Sequence, residues 1–383
     1  MASTGVEAAS SSMEITVSKA DLLRELTATQ GVVERKTTIP ILSNFLFEAA
    51  GDKLSITATD LDLGLRTSCP AKVKKEGSCT IPARKLYDYV KLLSEGDISI
   101  KTMENHWVQI RSGRSNTKMV GMARANYPQL PVFPTAGVIK LPSTILRTLI
   151  AKTIFAISNE ESRYTLNGAL MVLKPESIIM VATDGHRLAV AETDHKFAGL
   201  TREVRPLVPK KALTEVQRLA AEAGEDGQIE FALDDSHLFF RVGDRLLISR
   251  MLTGQFPNYE AVLPRENNKH VVLERGELND AVKRVAQLAD QRSHAVKLSV
   301  AKEGIEISAS SPEYGEAKET LEKDYQGEPL AIGFNAQYML DFLSAAAEGP
   351  ISLELKDEQS AGQMRPLAEE AYRYRYVIMP MRI

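Results

Sequence analysis

ARKLYDYVKLLSEG (Ala83–Gly96), KKALTEVQRLAAEAG (Lys210–Gly224) and NAQYMLDFLSAAAEG (Asn335–Gly349) are three versions of one amphipathic run stopped by glycine. In the first, Leu86, Tyr89, Val90 and Leu93 fall at i, i+3, i+4 and i+7, one apolar stripe of a helix. Gly96, Gly224 and Gly349 stand where a left-handed C-terminal cap needs no side chain. The stops lie roughly 125 residues apart, a domain-sized period.

Outward from these runs the flanks repeat as well. DISIKTMENHWVQIRSG (from Asp97) and GQIEFALDDSHLFFRVGD (from Gly227) both read strand, polar turn, strand, and PISLELKDEQ (from Pro350) starts the same way. An earlier helix recurs as SKADLLRELT (from Ser18), PSTILRTLIAKTIFAI (from Pro142) and RGELNDAVKRVAQLAD (from Arg275). Ser18 and Asp21 have the spacing of a capping box, and Pro142 falls near a first helical position. Between the two helices lies an extended hairpin region: LSITATDLDLGLRT (from Leu54), IIMVATDGHRLAVAET (from Ile178) and IEISASSPEYGEAKET (from Ile305). Each copy is therefore expected to carry two helices on one face of an antiparallel sheet, an α+β fold in three tandem modules. The Pro-rich stretches YPQLPVFPTAG (from Tyr127) and VLPRENNK (from Val262) mark the joints. They divide the chain into domains at residues 13–134, 135–265 and 266–383. Residues 1–12 read as a small polar, disordered tail, with Met13 as an alternative start.

Of 383 residues, 44% are apolar and 25% charged, the balance of a soluble globular protein. No apolar run approaches the ~20 residues of a membrane helix, and MASTGVEAASSS lacks the basic and apolar blocks of a secretory signal. A cytoplasmic chain is expected. Its two cysteines, Cys69 and Cys79, form no disulfide framework and read as reduced thiols.

Net charge is −3, the wrong sign for a protein that grips DNA by charge. Its distribution points the other way. The polar faces of the helices carry Lys19 and Arg24; Arg84, Lys85 and Lys91; Arg147 and Lys152; Lys210, Lys211 and Arg218; and Lys283 and Arg284. Carboxylates are expected elsewhere, in turns and in AEEAYRYR (from Ala368). Duplicated domains packed side by side would add these cations into one basic lining. With helices about 8–10 Å apart, six in a circle leave a hole of only ~9 Å, whereas twelve leave ~28 Å. A duplex roughly 20 Å across passes the second hole and not the first. One chain cannot encircle DNA on this arithmetic, but two can. Such a lining holds phosphates diffusely and fixes no register, so a ring can slide.

Two other readings compete. A metal-dependent hydrolase would rest on Asp184 and His186, but Asp184-Gly185 between two strand-like runs is a hairpin signal. The six histidines show no ligand spacing, so no metal or cofactor is expected. A non-ring DNA binder would need aromatic stacking platforms or a groove-entering helix unit. Aromatics are only 6%, and the single tryptophan, Trp107, sits in a strand where core or interface packing is expected.

TIPILSNFL (from Thr38), TIPARK (from Thr80), RSGRS (from Arg111), RYTLNGAL (from Arg163), VATDGHRLAV (from Val181), FPNY (from Phe256) and YVIMPMRI (from Tyr376) occur in that order. In these motifs the chain resembles the bacterial DNA polymerase III beta subunit family, the beta sliding clamps, from Met13 to Ile383. The resemblance implies a non-catalytic, head-to-tail homodimer of six domains around duplex DNA, associated with the nucleoid during replication and with no membrane contact. It implies that the replicative polymerase, the clamp loader and repair proteins dock short linear motifs in a cleft. That cleft would use Leu166, Thr183, Gly185, His186, Arg187, Leu188, Pro257, Val262, Val377, Met379, Pro380, Met381 and Arg382. MPMR suits it independently, since methionine surfaces repack around varied partners. The DNA-facing set would be Arg24, Arg35, Lys36, Arg84, Lys85, Arg147, Lys152, Arg163, Tyr164, Lys210, Lys211, Lys283 and Arg284. Thr117, Met119, Gln287 and Leu288 would form the subunit boundary, a more polar set than the family's. Ala261 replaces a frequent basic residue at the cleft rim, and SAGQMRPLAEEAYRYR (from Ser360) is richer in charge than the family's cleft-edge loop.

Overall fold

The computed structural model describes residues 12–33, 37–368 and 371–382, so the expected tail lies almost wholly outside the described residues. Within them one plan is written three times: strand, helix, a run of strands, helix, three strands. The first copy runs β1 (Glu14–Ser18), α1 (Lys19–Thr29), β2 (Asn44–Ala50), β3 (Lys53–Thr59), β4 (Leu63–Pro70), β5 (Lys72–Lys75), β6 (Gly77–Pro82), α2 (Ala83–Leu92), β7 (Asp97–Thr102), β8 (Trp107–Ser112) and β9 (Ser115–Val120). The second runs β10 (Ile139–Pro142), α3 (Ser143–Thr153), β11 (Gly168–Lys174), β12 (Ser177–Thr183), β13 (Arg187–Asp194), β14 (Leu207–Pro209), α4 (Lys210–Ala223), β15 (Gln228–Leu233), β16 (His237–Val242) and β17 (Arg245–Arg250). A single helical turn, α5 (Tyr259–Val262), precedes the third copy. This copy runs β18 (Lys269–Glu274), α6 (Arg275–Ala286), β19 (Ala295–Ala301), β20 (Gly304–Ser311), β21 (Gly315–Glu322), β22 (Leu330–Asn335), α7 (Ala336–Ala345), β23 (Pro350–Leu355), β24 (Gly362–Pro366) and β25 (Arg373–Ile378).

The chain forms two compact units, Met1–Leu141 with Thr214–Arg250, and Pro142–Leu213 with Met251–Ile383. The first holds a five-stranded sheet, β5-β1-β7-β8-β9, and an eight-stranded one, β10-β15-β16-β17-β4-β3-β2-β6. The second holds an eight-stranded sheet, β14-β11-β12-β13-β25-β24-β23-β18, and a four-stranded one, β21-β20-β19-β22. Each eight-stranded sheet joins the middle strands of one copy to the last strands of the next. The antiparallel ladder Leu246↔Arg66 through Ser249↔Leu63 makes the first junction. Arg187↔Ile378 through Glu192↔Arg373 makes the second. Among the described residues no third junction occurs: β9 and β21 each end a sheet.

Helices cover one face, as the apolar stripes require. α1 packs on β3 and β4, α3 on β12 and β13, and α6 on β19, β20 and β21. Ser18 caps α1: its Oγ accepts from the Asp21 amide at 3.1 Å and donates to the Asp21 carboxylate at 2.7 Å. Gly224 directly follows α4 at φ +79°, the expected left-handed stop. Gly96 and Gly349 do something else. Each lies beyond its helix end, and its carbonyl accepts from the first amide of the copy's other helix, Lys19 at 2.9 Å and Arg275 at 3.0 Å. They tie two helices together rather than cap one.

The expected segregation of carboxylates does not hold either. Glu25 on α1 is buried and accepts from Arg24 at 2.7 Å, Thr67 at 2.6 Å and Arg245 at 3.0 Å. Buried Glu215 on α4 accepts from Arg218 at 2.8 Å. The helices carry their counter-charges with them.

Gly168 shows how closely β11 and β14 approach. A Cβ there would stand 2.2 Å from the Val208 carbonyl oxygen and 2.7 Å from Leu252 Cδ1. Backbone cannot yield cheaply, so Gly168→Ala is expected to destabilise the fold by about 1–3 kcal/mol. A urea titration against the parent chain measures it.

Candidate functional site

β11, β12 and β13 read ALMVL, IIMVA and LAVA, apolar on both faces because both faces are covered. One set, including Met171, Met180 and Ala189, turns toward α3. The alternate set, Leu170, Val172, Ile179, Val181, Leu188 and Val190, joins Leu207 of β14 and Val377 of β25 in a second cluster. The FPNY segment lies over that cluster through buried Phe256 and Tyr259, with half-buried Leu166, Leu252, Leu263 and Ala361 packed around it. Val262 (47% exposed) and Met379 (44%) stand in solvent nearby in the chain. Two such side chains beside a buried apolar cluster make a surface suited to apolar side chains.

A hydrogen-bonded turn builds one end of this surface. Asp184 Oδ1 accepts from the amides of His186 at 2.9 Å and Arg187 at 3.1 Å, while Gly185 takes φ +89°. Thr183 Oγ1 donates to the Arg187 carbonyl at 2.6 Å and accepts from the Gly185 amide at 3.1 Å. The Met379 amide then donates to the His186 carbonyl at 2.9 Å, which docks the end of the chain onto the turn.

Arg187 locks this arrangement from beneath, with its side chain only 9% exposed. Its guanidinium donates to Asp184 at 3.1 Å, to Asp341 on α7 at 2.5 Å and to the Phe155 carbonyl at 2.7 Å. It also lies 4.3 Å from the Tyr338 ring centroid. Burial works against the charge, but Tyr376, Asp341 and Asp184 outweigh it and hold the pKa above the ordinary arginine value. Burial likewise pushes the Tyr376 phenol up; its hydroxyl donates to the Tyr338 carbonyl at 2.8 Å.

Of the residues expected in the cleft, Leu166, Val262 and Met379 present apolar surface, while Gly185, His186 and Pro257 are exposed around it. Thr183, Leu188 and Val377 are buried and form its floor, and Pro380 is half-buried. Met381 is half-buried and Arg382 exposed. The Met381 amide bonds the Gly333 carbonyl on β22 at 2.8 Å, and Arg382 lines a hollow with Lys297, Ser308 and Glu316. Ala261 is exposed. The list from sequence missed Phe256, Tyr259, Leu252 and Leu263, although the apolar i, i+3 pair in FPNY signalled the first two.

The expected DNA-facing residues divide by burial. Arg84, Lys85, Arg147, Lys211 and Lys283 are exposed on their helices, and Tyr164 is exposed on its loop. Arg24 is exposed but held by Glu25 and by Asp21 at 3.0 Å. With Arg84, Arg218 and Arg245 it lines a cavity of about 960 Å³ that also presents Asp88, Glu215 and Glu222. Arg284 grips Glu319 with two bonds of 2.5 and 2.8 Å. Arg163 donates to the Asp184 carbonyl at 2.6 Å, and half-buried Lys210 to Asn159 at 2.8 Å. Lys152 is not on a solvated face: it is 6% exposed, its ammonium 4.7 Å from the Tyr374 ring centroid. Arg35 and Lys36 lie outside the described residues. At the expected subunit boundary Thr117, Met119 and Leu288 are half-buried and Gln287 is exposed.

The hydrolase reading finds its aspartate occupied, since both Asp184 oxygens serve the turn. Among the described residues no cluster of three His, Cys, Asp or Glu side chains has the geometry to hold a metal ion. Burial pushes both cysteine thiols up to about 12, so neither is a poised nucleophile.

Three family models match in order: DNA polymerase III beta subunit N-terminal domain over residues 13–131, central domain over 140–258 and C-terminal domain over 260–382. The beta sliding clamp of Caulobacter vibrioides strain NA1000 is 36% identical over 97% of this chain and all of its own length. That of Pseudomonas aeruginosa is 33% identical with the same coverage. Among solved structures, the C. crescentus beta sliding clamp with polyethylene glycol bound to its putative beta-motif tethering region superposes with TM-score 0.90 at 36% identity. The P. aeruginosa clamp bound to griselimycin gives 0.89 at 33%; each covers 97% of this chain and 100% of its own. Three tandem α+β modules of this kind define a DNA-clamp protein, a class without catalysis. The chain belongs to the DNA polymerase III beta subunit family, the beta sliding clamps.

Removing Arg187 would strand Asp184 and Asp341 with half-buried charge. Arg187→Ala is expected to cost about 3 kcal/mol. Arg187→Lys should recover less than half of that, because an ammonium neither forks between carboxylates nor stacks flat on Tyr338. Urea titration of the two variants measures both effects.

Proposed function

We propose that two copies of this chain close into a ring around duplex DNA, slide without reading sequence, and tether the replicative polymerase, the clamp loader and repair proteins. The strand edges carry this reading. The same antiparallel junction joins copy one to copy two and copy two to copy three, through β4 with β17 and β13 with β25. By position in the repeat, β21 corresponds to β4 and β13, and β9 to β17 and β25. Each chain therefore presents one unused edge of each kind, and two chains used head to tail satisfy both. Thr117 and Met119 of β9 and Gln287 and Leu288 after α6 then fall at the seam.

The bore would be lined by exposed helix cations such as Arg84, Lys85, Arg147, Lys211 and Lys283, with Tyr164 and Arg163 on a neighbouring loop. Because many of the cations are already paired, the grip is weak and the closed path retains the DNA. The site of action is the cytoplasm, at the nucleoid during replication. Loaded on a nicked circle, the ring should stay through a high-salt wash and leave within minutes once the circle is linearised. Equal retention on both DNAs would refute encirclement.

Client motifs would seat on the surface of Leu166, Val262, Leu263 and Met379, with griselimycin, a ligand of the P. aeruginosa clamp, as a convenient probe. Val262→Ala with Met379→Ala removes exposed side chains and should leave stability unchanged within about 0.5 kcal/mol. Calorimetric titration should show griselimycin binding weakened at least about tenfold. Unchanged affinity would place the ligand elsewhere.

A further inference from the structure

Three large side chains at or beside the two unused edges are exposed. On β8, Val108 and Ile110 are buried, so Trp107, Gln109 and Arg111 turn to the face away from the helices. Val120 of β9 pairs directly with Trp107 and lies on that same outer face. Trp107 is 41% exposed and Val120 52%. Tyr314, the turn residue just before β21, is 52% exposed, its hydroxyl accepting from Gln291 at 3.1 Å.

The register of the internal junctions says where these groups would meet. At the first junction Leu247 stands opposite Leu65, and at the second Tyr376 stands opposite Ala189. Leu247 pairs within its hairpin with Phe240, as Thr117 does with Ile110, so Thr117 holds the place of Leu247. Leu65 pairs with Ala58, as Ala317 does with Ala309, so Ala317 holds the place of Leu65. Transferring the junction sets Thr117 opposite Ala317. Counting antiparallel from there, Lys118 faces Glu316, a pair of opposite charges, and Val120 faces Tyr314.

We propose that the outer rim of the subunit junction is an aromatic latch, in which Trp107 and Val120 of one chain pack on Tyr314 of the second copy. The inference rests on the two-chain ring proposed above and adds which side chains close it. Strands about 4.8 Å apart place Val120 between the two rings, within reach of both. The latch adds apolar contact on the outer face of a seam whose inner face offers Thr117 and Met119. Cross-strand opposition of Lys118 and Glu316 selects this register over a one-residue slip, which would also send Val120 to the wrong face.

The single tryptophan makes the test direct. Diluted through the concentration at which native mass measurement shows dimer giving way to monomer, Trp107 emission should move to longer wavelength. Tyr314→Ala should raise the dimer Kd about tenfold. Val120→Cys with Tyr314→Cys should cross-link the dimer under mild oxidation, while buried Cys69 and Cys79 stay out of reach. A dimer whose emission stays constant, whose Kd ignores Tyr314→Ala and which does not cross-link would overturn the latch and leave the ring standing. A chain that stays monomeric at all concentrations would overturn the ring, and the latch with it.

Discussion

A strand edge is a row of backbone donors and acceptors, and leaving it open exposes the chain to whatever strand comes by. In this protein that constraint organises everything else. The Leu246–Ser249 ladder against β4 and the Arg187–Glu192 ladder against β25 satisfy two pairs of edges by joining consecutive copies. Their cost is topological, because any linear chain of three such copies leaves one edge of each kind at its ends. Natural proteins blunt an edge with charge or brevity. β21 carries Glu316, Lys318, Glu319 and Glu322, so it resists indiscriminate pairing while remaining open to a complementary strand.

The charge distribution follows a related economy. A net charge of −3 does not oppose a DNA-related role, because neutralisation is local. Glu25 alone serves Arg24 and Arg245, and Glu319 engages both ends of the Arg284 fork. Burying Glu25 demands such partners, since an unpaired carboxylate at that depth would be costly. What remains exposed is a thinner cationic surface than a lysine and arginine count implies. A thinner surface suits a protein that must hold DNA without arresting on it.

The repeat was legible because helix stripes and strand alternation are local periodicities, and three copies in register reinforce one another. Features that depend on neighbours distant in sequence were not. Lys152 sits at helical spacing on a polar face, yet Tyr374, 222 residues away, bonds its carbonyl and packs near its ammonium. Gly96 and Gly349 look like helix caps until the amides of Lys19 and Arg275 are seen to need their carbonyls. Arg187 reads from its motif as a cleft residue, whereas Asp341 and Phe155 draw its guanidinium beneath the surface. The apolar cleft residues were partly readable, because MPMR and FPNY are apolar where turns are usually polar.

The two internal junctions also differ in how the apolar cluster beside each is covered. At the first, Ile248 pairs with Gly64, and the segment after Tyr127 runs across them. Leu130 fills the space over Gly64, where a Cβ would stand 2.7 Å from its methyl, and Phe133 sets its ring edge-on to Phe239 at 6.0 Å under the Arg241 guanidinium. At the second junction Val377 pairs with Leu188, and the segment after Tyr259 brings Leu263 to the cluster but leaves Val262 exposed. No second leucine and phenylalanine follow in that linker, which turns charged at Arg265 and Glu266. The first junction is thus sealed by the chain's own aliphatic and aromatic side chains, three residues apart. The second has an apolar floor with no such pair over it, and beside it Val262 and Met379 stay exposed.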